Sequence, residues 1–302
     1  MITANASTTT LTEGTFQANE SLARSLIEDM STLVSPPDVY LRINDMIAGN
    51  TASANHFSDV ILRDPSLTAR ILKLVNSSYY ALSSKVDTVS RAVAVIGMHE
   101  LSSLVFSMCA VQSFSRISSG VTNMNTFWRH GVYCGLAAKA IGSRVNCLNT
   151  ERLFVAGLLH DIGTLTINAR FPELAEEAIF KARGDEENLI GFEQTAIGFD
   201  HAYLGAMMLE NWHLPEATCD AIRYHHQPRA AKITPLEASI LHAADTLANY
   251  SGTGSFSETI AKHDDIAADI KELIELPDDF DHDELIEEVD LQFVETIYLL
   301  VA

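Results

Sequence analysis

The chain has 302 residues, 47% of them apolar and 20% charged, enough to bury one large core or two modest ones. Twenty Lys and Arg against forty Asp and Glu leave a formal charge of -20, which repels phosphate backbones and anionic lipid surfaces and argues against a nucleic-acid or membrane-surface protein. The four cysteines (Cys109, Cys134, Cys147, Cys219) form no C-x-x-C pair, and no apolar run approaches the roughly 18 to 20 residues of a membrane span, so a reducing cytoplasm is the expected compartment.

Residues 1–19, rich in Thr, Ser, Asn and Ala and without Lys or Arg, read as a mobile leader with no structure of its own. From Glu20 onward the apolar spacing is near 3.6, which predicts an all-α protein. Helices are expected over 21–33, 38–49 and 98–114. Another starts at Asp64-Pro65, where the aspartate can cap and the proline's missing N–H is harmless in the first turn; Leu67, Ile71, Leu74 and Val75 then share one face. Residues 20–114 thus form an N-terminal helical layer.

The Ser/Gly/Asn-rich stretch from Ser115 to Asn125 marks an internal boundary. A second helical block, 126–250, holds seven of the eleven histidines. Beyond it, residues 251–302 form an acidic C-terminal segment: 263–302 carry fourteen acidic residues and one Lys, supplying -13 of the total charge. Helical spacing persists there through Ile266, Ile270, Leu273 and Ile274, then Leu285, Ile286, Val289, Phe293 and Ile297. The segment fits a pair of solvated amphipathic helices or an acidic docking surface for a basic partner.

The unbroken run Leu153 to Leu159 has no polar face, so its helix must be buried on all sides, and it delivers His160 and Asp161 into the interior. Gly163 is read as the residue that lets this helix end. A buried imidazole beside a buried carboxylate is costly unless both are satisfied. A divalent cation does so, and so does a hydrogen-bonded core histidine with a helix-end aspartate.

Five further residues share this character. His130 lies on an apolar helix face. Asp200 can cap a helix that opens with His201, with Gly205 allowing close packing beneath it. His225 and His226 end a helix begun at Leu214-Pro215-Glu216, just before Pro228. Asp245 sits at the apolar margin of a helix over 235–250, with His242 as a possible hydrogen-bond partner at i, i+3. Each alone can be a core or capping residue; together they match imidazole–carboxylate ligation of one or two Fe, Mn, Ni or Zn ions.

The order His130, His160-Asp161, Asp245 resembles the H…HD…D signature of the HD superfamily of metal-dependent phosphohydrolases. Within it, Arg63-Asp64-Pro65-Ser66-Leu67, Leu74-Val75-Asn76-Ser77-Ser78-Tyr79 and Ala92-Val93-Ala94-Val95-Ile96-Gly97 resemble the HDOD domain, a bacterial signalling output module related to HD-GYP proteins. The resemblance covers about residues 20–250 and implies a multi-helical HDOD fold, with an N-terminal layer packed on an HD-like block.

It also implies a regulatory role exercised through a signalling protein or a small ligand, with metal held by His130, His160, Asp161, His201, His225, His226 and Asp245. The alternative is hydrolysis of a nucleotide or other phosphate ester, in which Asp161 would bridge two ions and Arg129 and Arg223 would be the nearest phosphate-binding cations. HD-GYP-type cyclic-di-GMP hydrolysis is not expected. Thr164 stands where those enzymes carry Lys, the G-Y-P sequence is missing after His226, and Thr126 stands where a three-metal branch has Glu.

Overall fold

A computed structural model describes residues 13–31, 34–49, 53–117, 120–183, 185–252, 266–277 and 280–301. Among them are sixteen α-helices and no strand, as the apolar period predicts. The N-terminal layer comprises α1 (Glu13–Ser31), α2 (Asp38–Ala48), α3 (Ala54–Ile61), α4 (Pro65–Val75), α5 (Val89–Ile96) and α6 (Met98–Phe114). The second block contains α7 (Met124–Arg144), α8 (Thr150–Leu159), α9 (Ile162–Arg170), α10 (Pro172–Ala182), α11 (Glu186–Ile197), α12 (His201–Asn211), α13 (Glu216–Arg223) and α14 (Pro235–Tyr250). Helices α15 (Ala268–Leu273) and α16 (His282–Val301) follow.

Helix α1 begins at Glu13, so residues 13–19 of the expected leader are helical. Its anchor is remote in sequence: the Asn19 side chain donates to the Gly198 carbonyl at 3.0 Å. Local composition carries no sign of that contact. Residues 1–12 of the expected leader, and 253–265 of the acidic segment, lie outside the described residues.

In α4 the Asp64 carboxylate accepts the Ser66 and Leu67 N–H groups, and Leu67, Ile71, Leu74 and Val75 are buried as expected. The loop that follows is braced by Asn76, whose amide donates to Val86 O and whose carbonyl accepts Val86 N–H. Tyr79 then reaches into the second block. Its hydroxyl donates to Glu151 at 2.8 Å, the other oxygen of Glu151 pairs with Lys139, and the Lys139 ammonium lies 3.6 Å from the Tyr79 ring centroid. The loop thereby touches both α7 and α8.

Those two helices pack through glycine. A Cβ on Gly157 would stand 2.6 Å from the Gly135 backbone, so only bare backbone permits this approach. Outside α7 lies α16, which buries Leu285, Val289, Phe293, Thr296, Leu299 and Leu300. Tyr133 donates to Asp290, Arg144 pairs with Glu288, and Arg70 of α4 donates to the carbonyls of Leu299 and Leu300 at the helix end. The acidic segment is therefore amphipathic as read, but its apolar face belongs to the same core as both helical blocks. No single described helix is long and apolar enough to cross a membrane.

Candidate metal centre

The close contact of α7 and α8 sets His130 against His160, their Nε2 atoms 3.2 Å apart. Helix α8 stops at Leu159, and the chain turns sharply through His160 and Asp161 into α9. His160 Nδ1–H donates to the Gly157 carbonyl at 2.8 Å; since a carbonyl only accepts, Nε2 is the atom left facing Asp161 Oδ2 at 3.4 Å. From α14, Asp245 Oδ1 lies 3.0 Å from His130 Nε2 and 3.7 Å from His160 Nε2.

His201 opens α12, with Asp200 capping through the Tyr203 N–H as predicted. Its ring is held from behind by Glu193, one oxygen of which accepts both the His201 backbone N–H (2.9 Å) and Nδ1–H (2.8 Å). Nε2 then faces Asp161 Oδ1 at 3.4 Å and His226 Nε2 at 2.8 Å. His225 Nδ1–H donates to the Ile222 carbonyl at the end of α13, which turns its Nε2 inward. All seven expected ligands converge, six of them buried and His226 at the partly exposed edge.

Their donor atoms form overlapping groups within 4.8 Å of one another: His130, His160 and Asp245; His160, Asp161 and His225; His201, His225 and His226; and Asp161, Glu186 and His201. Both carboxylate oxygens of Asp161 and the Nε2 of His225 are buried with no hydrogen-bond partner. Leaving them so costs several kcal/mol in the aggregate. Imidazole nitrogens and carboxylate oxygens at this spacing fit a divalent transition metal, which would satisfy all three atoms.

The electrostatics agree. Burial opposes a charge on His160, yet Asp161 and Asp245 hold its pKa well above the ordinary histidine value. Burial likewise opposes a charge on His201, but Glu193 and Asp161 raise it to about 10. Burial together with the charged His160 and His201 depresses His225 to about 3, and burial with the neighbouring imidazoles keeps His226 well below its usual value. Against the cost of burial, the facing histidines keep both Asp161 and Asp245 below the usual carboxylate range. Without metal, the charged His160 and His201 thus face the carboxylates of Asp161, Asp245 and Glu193.

Two expectations need correction, and two further residues are placed by their contacts. Gly163 does not end a helix; it lies inside α9, where a Cβ would stand 2.1 Å from His201 O, so it is glycine to let α12 bring His201 in. His242 does not pair with Asp245: its Nδ1–H donates to the His225 carbonyl at 2.8 Å, bracing the ligand loop instead. Arg129 is exposed and lies over the Phe293 ring, 5.0 Å from its centroid. Arg223 pairs with Glu210 at 2.7 Å and stacks on Tyr203. Both candidate phosphate cations are thus engaged on the outside of the fold.

Sequence reasoning missed two residues of α11, Glu186 and Glu193. A signal existed. Glu186, Leu189, Glu193 and Ile197 recur at helical spacing on one face, where Leu189 and Ile197 are buried. An acid within an apolar stripe needs a partner, and for Glu193 that partner is His201.

Residues 33–228 match the HDOD domain family. An uncharacterized protein of Treponema pallidum is 25% identical over 242 residues, covering 78% of this chain; the match spans 46% of that protein's length. A crystal structure of an HDOD domain protein of unknown function from Geobacter sulfurreducens superposes with a TM-score of 0.71 at 25% identity, covering 95% of this chain and 100% of the other. A candidate phosphohydrolase of Shewanella amazonensis gives 0.68 at 23% identity, covering 91% and 97%. A candidate metal-dependent phosphohydrolase of the same organism gives 0.62 at 20%, covering 94% and 99%.

Proposed function

We propose that this chain, which belongs to the HDOD family, is a signalling module that carries a buried transition-metal centre and acts by binding a partner. The observation that carries this reading is the contrast between a complete ligand set and its surroundings. His130, His160, Asp161, His201, His225 and Asp245 are all buried, Thr164 offers no positive charge, and Arg129 and Arg223 are held elsewhere. His130, His160 and Asp245 would hold one ion, His201, His225 and His226 a second, with Asp161 between them. Fe, Mn, Ni and Zn all suit this donor set.

The partner surface we favour is the outer face of α16. Leu291, Val294 and Tyr298, at i, i+3 and i+7, are 79%, 73% and 68% exposed. Glu284 and Glu287 continue the same line and are also exposed. An apolar stripe ending in acids is complementary to an amphipathic helix bearing Leu-type and basic residues.

The second reading, a phosphohydrolase, draws on the completeness of the same ligands and on the candidate phosphohydrolases that share the fold. Bound ions would supply an acidified water and neutralise phosphoryl charge. The chain's own residues would position them: Asp161 at the centre, with Glu193 fixing the tautomer and direction of His201.

Elemental analysis of untagged protein purified without chelators is the test. We expect about one to two equivalents of metal, lost in Asp161→Ala, and no turnover across a panel of phosphate esters. Metal-dependent turnover that disappears in Asp161→Ala would replace the signalling reading by the hydrolytic one. Metal-free protein that stays so after incubation with all four ions would overturn both.

A further inference from the structure

Glu186, the first residue of α11, approaches the metal centre from the solvent side. Its carboxylate donor lies within 4.8 Å of those of Asp161 and His201, and Oε1 is 3.9 Å from His226 Nε2. Its side chain is 28% exposed, whereas that of His226 is 9% exposed and those of His130, His160, Asp161, His201 and Asp245 no more than 5%. Glu186 is the donor through which the centre meets water.

Two further observations point to a cation at this position. Glu186, Asp161 and His201 bring two carboxylates and one imidazole to a single point, a donor set that suits a cation. Both oxygens of the buried Asp161 lack a hydrogen-bond partner there. The near end of the element that delivers Glu186 also has packing of its own: α10 and α11 hold each other through a small cluster of Ala178, Ala182 and Leu189, with Phe192 against it, while Ile197 at the far end of α11 joins the main core. The same helix supplies Glu193, so one element both orients His201 from behind and closes the centre in front.

Resting on the metal reading above, we propose that Glu186 is a further ligand, bound to the ion shared by Asp161 and His201, and that it is the displaceable one. It occupies the position an incoming oxyanion of the phosphate class would take. A carboxylate held at the surface end of a hairpin with its own core exchanges more readily than imidazoles fixed by backbone carbonyls. A phosphate oxygen replaces a carboxylate oxygen on the metal with the same ligand chemistry.

Calorimetric titration of chelator-stripped wild type, Glu186→Ala and Glu186→Asp with Mn²⁺, followed by inorganic phosphate on the Mn²⁺-saturated proteins, tests this. Both variants should weaken one Mn²⁺ site by about tenfold or more while leaving the other unchanged. The shortened Asp keeps the charge and loses the reach, so it separates ligation from a field effect. Saturated Glu186→Ala and Glu186→Asp should each bind phosphate more tightly than wild type. Folding is not at issue, because Asp185, not Glu186, caps α11; a thermal melt confirms it. Identical Mn²⁺ isotherms and phosphate affinities in all three proteins would overturn the assignment of Glu186 and leave the centre standing. Failure of wild type to take up Mn²⁺, and Fe²⁺, Ni²⁺ and Zn²⁺ when these are titrated in its place, would overturn the centre and Glu186 together.

Discussion

At the scale of the residue, protons stand where the cation would go. His160 and His201 are both held above their ordinary pKa, His201 at about 10, so both carry a proton near neutrality. Ligation through Nε2 requires that proton to leave. Metal uptake at pH 7 should therefore release about two protons, and affinity should climb with pH toward about 10. Calorimetry in buffers of different ionisation enthalpy reads the number directly; uptake without proton release would contradict it. The metal-free fold behaves oppositely. The stability contributed by raised His201 is fully present below its unfolded value of about 6.5 and fades as the pH rises through about 10.

The seven candidate ligands were legible because each is a costly residue in an apolar setting or at a punctuated helix end, as with His160-Asp161 after seven residues without a polar face. Glu186 and Glu193 carried a weaker signal, their place in the stripe with Leu189 and Ile197, which marks acids in need of a partner without naming it. Only the fold reveals that the α11 face turns toward His201. Arg129 and Arg223 show the converse: proximity in sequence to a candidate ligand does not fix which partners a long side chain takes, here Phe293 and Glu210.

At the scale of the element, the centre depends on two bare-backbone contacts, α7 with α8 and α9 with α12. Gly163→Ala would drive a methyl into the His201 carbonyl and the Gly205 amide. Relief requires α12 to move, at a cost of about 1–3 kcal/mol, and His201 moves with it. A lowered melting temperature with weakened metal binding is expected; an unchanged metal isotherm would show that the contact does not position the ligand. Helix termini at Asp64-Pro65, Phe114 and Pro235–Tyr250 were readable because caps and apolar spacing are local. The role of Gly163 was not, since its partner is Gly205. The loop after α4 offers a milder probe. Tyr79→Phe removes the hydroxyl that joins it to Glu151, and should cost about 1 kcal/mol in a denaturant melt.

At the scale of the whole molecule, the acidic segment is a structural member. Leu285, Val289, Phe293, Leu299 and Leu300 of α16 are buried against the two helical blocks. Burial of five such side chains contributes roughly 7–15 kcal/mol, comparable to the entire stability of a typical domain of about 5–15 kcal/mol. A chain ending at residue 262 should therefore lose its cooperative thermal transition. A truncated protein with an unchanged melt would show that the blocks stand alone. The all-α class followed from period, but charge concealed the tail's inner face. Fourteen acids in forty residues dominate its composition, while the packing is carried by apolar residues spaced between them.

The pairing of α16 with α7 also has a history in time. Tyr133 and its partner Asp290 are separated by 157 positions. At ordinary translation speed roughly 8–30 s pass between the synthesis of one and the other. Throughout that interval the apolar flank of α7 that α16 later covers stays without its partner. The core around the seven candidate ligands is thereby completed only after that interval.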